Sequence, residues 1–98
     1  MTITKKPNGS ELTMVLEGRL DTTTAPELEG ALRESLSGVT SLILDMADLA
    51  YLSSAGLRVL LAAQKQMNKQ GEMKILHVND TIMEIFEVTG FVDVLTIE

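Results

Sequence analysis

The spacing of hydrophobic residues changes along the chain from the period of a strand to that of a helix. Every second residue from Leu12 to Leu16 is apolar, which predicts a β-strand over the segment Glu11–Gly18. A turn signature of Pro, Asn, Gly and Ser occupies residues 7–10. This turn separates a short strand around Thr2–Lys6 from the second strand, so we expect the two strands to form a hairpin.

The following segment has the spacing of an amphipathic helix. Thr24 and Glu27 lie three residues apart, as in a capping box, and Pro26 falls in the predicted first turn. Gly38 is expected to end the helix, because glycine is the usual residue after a helix C-terminus. The apolar positions between these limits recur every three or four residues and are Ala25, Leu28, Ala31, Leu32 and Leu36.

A strongly hydrophobic strand and a broadly apolar helix occupy the middle of the chain. The segment Val39–Asp45 contains three consecutive apolar residues at 42–44, which is typical of a strand covered on both faces. A polar loop is expected to follow this strand and to lead into a second helix, Ser54–Gln70, which Gly71 stops. The wide apolar face of this helix predicts deep burial against a sheet.

The C-terminal third predicts a strand, a helix and a final strand. The fourth strand covers Met73–Val78, Asn79 or Asp80 caps a third helix that ends at Gly90, and a last strand covers Val92–Ile97. The order is therefore β-β-α-β-α-β-α-β. Right-handed crossovers between such elements predict an α/β fold with a mostly parallel sheet and helices packed mainly on one face. With the chain ending directly after the last strand, little remains to cover the second face.

Composition narrows the classes of function. A chain of 98 residues predicts one domain, residues 1–98. The absence of cysteine fits a reducing cytoplasm and excludes thiolate metal sites and disulfides. A formal net charge of −6 and only three aromatic residues argue against binding to nucleic acid or to an anionic membrane surface. Without a long apolar run or a secretory signal, the expected location is cytoplasmic.

The turn that opens the second helix is the most informative candidate site. It reads Ser53-Ser54-Ala55-Gly56, and a hydroxyl here lies beside unpaired N–H groups at the positive end of the helix dipole. Such a hydroxyl is a natural place to add or remove a phosphate. Helix capping is the simpler interpretation, and the two are compatible because a capping hydroxyl can also be exposed. Glycine in the first helical turn costs about 1 kcal/mol relative to alanine, which indicates that another part of the fold packs closely there.

Other patterns indicate a binding module rather than an enzyme. No Gly-x-Ser-x-Gly elbow, Ser-x-x-Lys pair or phosphate-binding glycine motif is present. Asp45 and Asp48 are expected to be solvated loop anions and not metal ligands, so we predict no catalytic residue, metal or cofactor. Asp21 has two open interpretations: it caps a turn, or it is an acidic group beside the serine turn that contacts a partner.

Taken together and in order, these segments resemble the STAS domains of bacterial anti-sigma factor antagonists. The likeness spans nearly the whole chain and is carried by Leu16-Glu17-Gly18-Arg19-Leu20-Asp21 with Thr24-Ala25, by Leu42-Ile43-Leu44-Asp45, by Ser54-Ala55-Gly56-Leu57 and by Ile85-Phe86-Glu87-Val88-Thr89-Gly90. The family's turn commonly reads Asp-Ser-Ser-Gly or Asp-Ser-Ala-Gly. The C-terminal helix usual in these domains is expected to be missing, because the last predicted strand reaches Ile97.

The resemblance implies which residues of the turn are functional. The serine two places before the glycine receives a phosphate, which makes Ser54 the expected acceptor. Ser53 occupies the position of the family's aspartate and is the alternative acceptor, and Asp21 matches a family acidic residue beside the site. The residues expected to contact a partner are Asp21, Thr22, Ser53, Ser54, Ala55, Gly56 and Arg58.

The resemblance also implies a mechanism, partner switching. The unmodified protein would bind an anti-sigma factor that is also a serine kinase, phosphorylation of Ser54 would release it, and a metal-dependent serine phosphatase would reset the system. No nucleic acid or membrane partner is expected, and the protein is expected to be a monomer or weak homodimer. The alternative is a constitutive STAS adaptor of a transporter or signalling complex, in which Ser54 only caps the helix. The serine at position 53 favours that alternative.

Overall fold

One four-stranded sheet and three helices make up the fold. The computed structural model describes residues 1–98. The sheet has the order β1-β2-β3-β4, with β1 antiparallel to β2 and the other neighbours parallel. The elements are β1 (Thr2–Asn8), β2 (Glu11–Leu20), α1 (Ala25–Ser35), β3 (Ser41–Leu52), α2 (Ser54–Gln70), β4 (Glu72–Leu76) and α3 (Asp80–Thr89). The predicted hairpin, mostly parallel sheet and three helices are confirmed.

The helices pack on one face of the sheet. Met14 of β2 and Leu44 of β3 are fully buried on that face, and Leu28, Leu60 and Phe86 bring α1, α2 and α3 onto the same hydrophobic cluster. Alternate residues point to the opposite face and are only half-buried, as the alternating burial along β2 and β3 shows. This one-sided arrangement is the predicted one. No helix is long and apolar enough to cross a membrane.

β3 extends well beyond its predicted end. Met46, Leu49 and Leu52 are buried in a segment that the sequence analysis assigned to a polar loop. The pairing of β2 with β3 shifts register between Val15 and Glu17 and again between Gly18 and Arg19. These irregularities change the spacing of buried residues in β3 from two to three, so a search for strict alternation ends the strand too early.

The predicted final strand is largely wrong. Phe91–Asp93 form one turn of 3-10 helix, and Ile97 alone pairs with β4, through a parallel bridge to Ile75. Gly90 adopts φ 78°, which turns the chain at the end of α3. Among the apolar residues of this segment only Leu95 is buried. The alternating apolar residues therefore do not form the buried face of a β-strand.

Candidate functional site

Parallel pairing brings the predicted serine turn next to the turn that carries Asp21. β2 and β3 end side by side, with Leu20 opposite Leu52 in the register. The backbone N–H of Ser53 donates a hydrogen bond to the carbonyl oxygen of Leu20 at 2.9 Å. The β2–α1 and β3–α2 turns therefore meet at the carboxyl edge of the sheet, the usual place for a binding site in an open α/β fold.

The two serines of the turn have different environments. Ser53 is the N-cap of α2, and its Oγ accepts a hydrogen bond from the N–H of Gly56 at 3.4 Å. Ser54 is the first residue of the helix, is exposed, and makes no side-chain hydrogen bond. The capping role therefore belongs to Ser53. The Ser54 hydroxyl remains free to react or to contact another molecule.

Gly56 has a structural explanation in the packing beneath the turn. It is buried, and a Cβ atom at this position would lie 2.7 Å from Cγ of Leu20 and 2.8 Å from Cδ1 of Leu52. The ends of β2 and β3 thus pack directly under the first turn of α2, as the glycine predicted. Gly56 therefore lies beneath the surface of the site and allows α2 to begin close to Leu20 and Leu52.

Asp21 caps its own turn, and the predicted capping box at Thr24 and Glu27 is wrong. Oδ1 of Asp21 accepts hydrogen bonds from the backbone N–H groups of Thr23 and Thr24, at 3.0 and 3.1 Å. Thr24 makes no capping bond to α1; instead its Oγ1 accepts from the N–H of Asp21 and donates to the carbonyl of Arg19. The Thr24 hydroxyl is therefore bonded to the chain that precedes α1 and not to the first turn of the helix.

The pKa of Asp21 is lowered, foremost by the hydrogen bond from the backbone N–H of Thr24. Desolvation is the second-largest effect and raises the pKa, but the hydrogen bonds from the Thr23 N–H and the Thr24 hydroxyl and the charge of Arg19 add to the lowering, and the net pKa stays below the ordinary value. Each of these donors stabilises the carboxylate over the acid. Asp21 is therefore an anion at neutral pH, fixed at the edge of the serine turn.

The structure adds two residues that the sequence analysis missed, Arg19 and Tyr51. They are opposite each other in the register of β2 and β3, and Cζ of Arg19 lies 4.2 Å from the centre of the Tyr51 ring. Both are exposed, and Arg19 also lies 3.7 Å from the Asp21 carboxylate. Arg19 lies two residues before Asp21, and Tyr51 lies two residues before Ser53. Because the predicted β3 ended at Asp45, the sequence pattern did not place Tyr51 on a strand beside Arg19.

The remaining predicted contact residues lie on the other side of the turn. Thr22, Ala55 and Arg58 line a groove of about 250 Å³ between the N-terminal parts of α1 and α2. Arg58 is exposed and forms no ion pair. The structure therefore gathers all of the predicted contact residues around one edge of the sheet, with Gly56 beneath the surface.

Asp45 differs from its predicted state as a solvated loop anion. It lies within β3, where Oδ1 is 3.0 Å from Nδ1 of His77 and accepts from the N–H of Ala47 at 3.0 Å. Burial by itself raises the pKa of Asp45, but the hydrogen bonds from His77 and Ala47 and the charges of His77 and Lys6 outweigh it. The net result is a pKa below the ordinary value of 3.8. No group of three or more His, Cys, Asp or Glu side chains could hold a metal ion.

We expect the Asp45 carboxylate to stabilise the folded protein at neutral pH and to lose this effect in acid. Because its pKa is lowered in the folded state, the contribution is present above pH 3.8 and is lost as the pH falls through the folded pKa. Asp45→Asn should therefore flatten the loss of unfolding free energy between about pH 5 and pH 2, measured by urea unfolding. Asp48→Asn, at an exposed position of the same strand, is the control. Equal acid profiles for wild type and Asp45→Asn would contradict the expectation.

The chain is similar to known proteins of one domain family. The sequence model of the STAS domain family matches residues 2–98. The anti-sigma-B factor antagonist of Staphylococcus aureus is 34% identical over 80 residues, which cover 80% of this chain and 74% of that protein. The anti-sigma-B factor antagonist of Bacillus subtilis is 27% identical over 93 residues, covering 94% and 85%.

Solved structures show the same fold at lower identity. An anti-sigma factor antagonist from Mycobacterium paratuberculosis superposes with a TM-score of 0.89 at 21% identity, over 98% of this chain and 83% of that one. The anti-sigma factor antagonist SpoIIAA in its unphosphorylated form superposes with a TM-score of 0.78 at 15% identity, over 99% and 87%. The chain therefore belongs to the STAS domain family, among the anti-sigma factor antagonists.

Proposed function

We propose that this protein is an anti-sigma factor antagonist that works by partner switching. In its unmodified form it binds an anti-sigma factor with serine kinase activity, and a phosphate on Ser54 ends that binding. The observation that carries the proposal is the position of the Ser54 hydroxyl: exposed, without a hydrogen bond, and at the first residue of α2, where two turns meet. The neighbouring Ser53 already satisfies the capping role.

Relatives of the chain support this choice. Curated members at 27–34% identity are named anti-sigma-B factor antagonists. SpoIIAA, which shares the fold, has been solved in an unphosphorylated and in a phosphorylated form. A domain of this fold can therefore carry a phosphate and remain folded, which a phosphate switch requires.

In the proposed reaction this chain is the substrate. The Ser54 oxygen attacks the γ-phosphorus of ATP held by the partner kinase, the bond to the ADP oxygen breaks, and the hydroxyl proton passes to a base of the kinase. Ser54 makes no side-chain hydrogen bond, and His77 is bound to Asp45, so the proposal assigns the base to the kinase. A serine phosphatase then returns Ser54 to the hydroxyl form by hydrolysis.

The charge of the phosphate explains why binding and folding respond differently. A phosphoserine adds about −1.5 to −2 charge. At the N-terminus of α2 it gains about 0.3–1 kcal/mol from the helix dipole, so the fold tolerates it. Within an interface, a charge left buried and unpaired costs about 2–5 kcal/mol, which is the larger effect. Phosphorylation therefore favours the free protein.

A constitutive adaptor is the second candidate. Ser53 stands where the family commonly has aspartate and bonds the N–H of Gly56 as an ordinary N-cap. A protein that uses its serine turn only for capping would bind the same partner whatever the state of Ser54. The two functions thus differ in one measurable property, the sensitivity of the partner to position 54.

A pull-down separates the two candidates. Wild type, Ser54→Ala and Ser54→Asp are used as baits in native-host lysate depleted of ATP, with Ser37→Asp as a control at an exposed position before β3. The switch predicts that wild type, Ser54→Ala and Ser37→Asp capture an ATPase that Ser54→Asp does not. The purified ATPase must then phosphorylate wild type with Mg²⁺ and ATP, at a site that peptide mapping assigns to Ser54. Equal capture by every bait would support the adaptor.

A further inference from the structure

The charges of α2 are all positive. Its charged residues are Arg58, Lys65 and Lys69, and the helix contains no Asp or Glu, although the chain has a net charge of −6. None of the three takes part in any of the ion pairs of the structure. The three cations of this helix therefore form no ion pair with a carboxylate of the protein.

These cations share one side of the helix with Ser54. At about 100° per residue, Ser54, Arg58, Lys65 and Lys69 fall within an arc of about 60°. All four are exposed. Ser54 thus forms the N-terminal end of a cationic strip, defined by these four residues, that runs along the solvent side of α2.

We propose that Arg58 binds the phosphate on Ser54 and that phosphorylation thereby removes the first cation of the strip. This inference rests on the proposed function, because it concerns the phosphorylated form of the same serine. Residues four apart on a helix are neighbours, and an anion N-terminal to a cation is the favourable order. A guanidinium can donate two parallel hydrogen bonds to phosphate oxygens, which an ammonium cannot.

The surrounding charges leave Arg58 available for this role. Glu29 of α1 lines the same groove, but its carboxylate is 2.9 Å from Arg33. Asp21, in the β2–α1 turn, is held by backbone N–H groups of that turn. Arg19 lies over the Tyr51 ring and beside Asp21. Asp21 repels a phosphate and Arg19 attracts it, and neither effect changes when Arg58 is replaced.

The proposal adds a second way in which phosphate opposes partner binding. Without the phosphate, the strip presents three exposed cations, which attract acidic groups of a partner. With Arg58 engaged by a phosphate of about −1.5 to −2 charge, the N-terminal end of the strip changes from positive to negative. The partner then loses a cation and meets an anion at the same place.

The pKa of the phosphoserine tests the proposal without any partner. The protein is prepared with phosphoserine genetically encoded at position 54, and the second phosphate pKa, ordinarily about 6, is read from the ³¹P chemical shift. Arg58 stabilises the dianion, so Arg58→Gln should raise this pKa by about 0.4 units, and Arg58→Lys should restore part of the difference. The difference should collapse in about 1 M salt.

Lys69→Gln is the matched control, because it removes the same charge from the same helix. Its position is about 22 Å along the axis from Ser54, beyond the screening length of about 8 Å at physiological salt. A shift below about 0.1 unit is expected for Lys69→Gln. Equal shifts in Arg58→Gln and Lys69→Gln, or none in either, would overturn the proposal. That result would contradict the ion pair but not partner switching. Conversely, a partner that binds equally well whatever stands at position 54 would contradict partner switching but not the ion pair.

Discussion

Phosphoserine at position 54 is expected to weaken partner binding by at least about 30-fold while the protein stays folded. The lower bound of the buried-charge cost, about 2 kcal/mol, corresponds to this factor. The fold tolerates the modification because Ser54 is exposed and lies at the helix end that favours an anion. Titration calorimetry with the captured ATPase measures the affinity, and the midpoint of thermal unfolding should change by no more than a few degrees.

The matched control for this experiment is phosphoserine at position 37. Ser37 is exposed in the connection between α1 and β3, at the end of the sheet opposite to the serine turn. Phosphoserine at position 37 adds the same charge to the protein and should leave the affinity for the ATPase unchanged. Loss of affinity at both positions would indicate general repulsion by net charge. A large fall in the unfolding midpoint for the position 54 protein would mean that the phosphate acts by unfolding it.

Gly71→Ala is expected to destabilise the fold by about 3 kcal/mol or more. The φ of Gly71 is 170°, an extended value that alanine also adopts, so backbone strain is not the cause. A Cβ atom would overlap the carbonyl oxygen of Thr40 and lie 2.6 Å from its carbonyl carbon. That oxygen accepts the N–H of Glu72 at 2.9 Å, where β4 begins to pair with β3. Backbone atoms this close to a paired strand cannot move aside without breaking the pairing.

Urea unfolding measures this change, and Gly30→Ala is its control. Gly30 lies inside α1, and a Cβ there would meet nothing within 4 Å. Its replacement should stabilise the protein by about 0.5–1 kcal/mol, because alanine is the better helix former. In Gly71→Ala the thermal midpoint should fall by at least about 12 °C. Similar stabilities for the two variants would show that the backbone around Thr40 adapts to a side chain.

The elements with strong local signals were predicted correctly. The second helix was expected over Ser54–Gln70, and the structure gives these bounds, because Ser53 caps one end and Gly71 closes the other. The hairpin followed from the turn at residues 7–10 and the alternation after it. Gly56 predicted close packing against the turn, and the ends of β2 and β3 supply it.

The errors lie where tertiary contacts override local pattern. The second half of β3 keeps pairing with β2 through two register shifts, which change the period of burial. Alternating apolar residues near the C-terminus did not produce a strand, because Val92 and Val94 remain exposed and Ile97 gains a single bridge. Thr24 does not cap α1, because its hydroxyl is bonded to the N–H of Asp21 and to the carbonyl of Arg19.

The sequence by itself determined the fold class, the family resemblance and the position of the serine turn, since each depends on short-range spacing of residue types. The structure showed which of the two adjacent serines caps the helix, and this is a local choice. The tertiary structure alone decided that Asp21 and the Arg19–Tyr51 pair lie at the same edge as the serine turn. Those relations depend on the register of parallel strands joined by long crossovers. The hydrophobic pattern of a strand decides which of its faces is buried. Parallel strands are joined by a crossover and not by a tight turn, so the residue that each position meets on the neighbouring strand follows from the packing of the whole sheet.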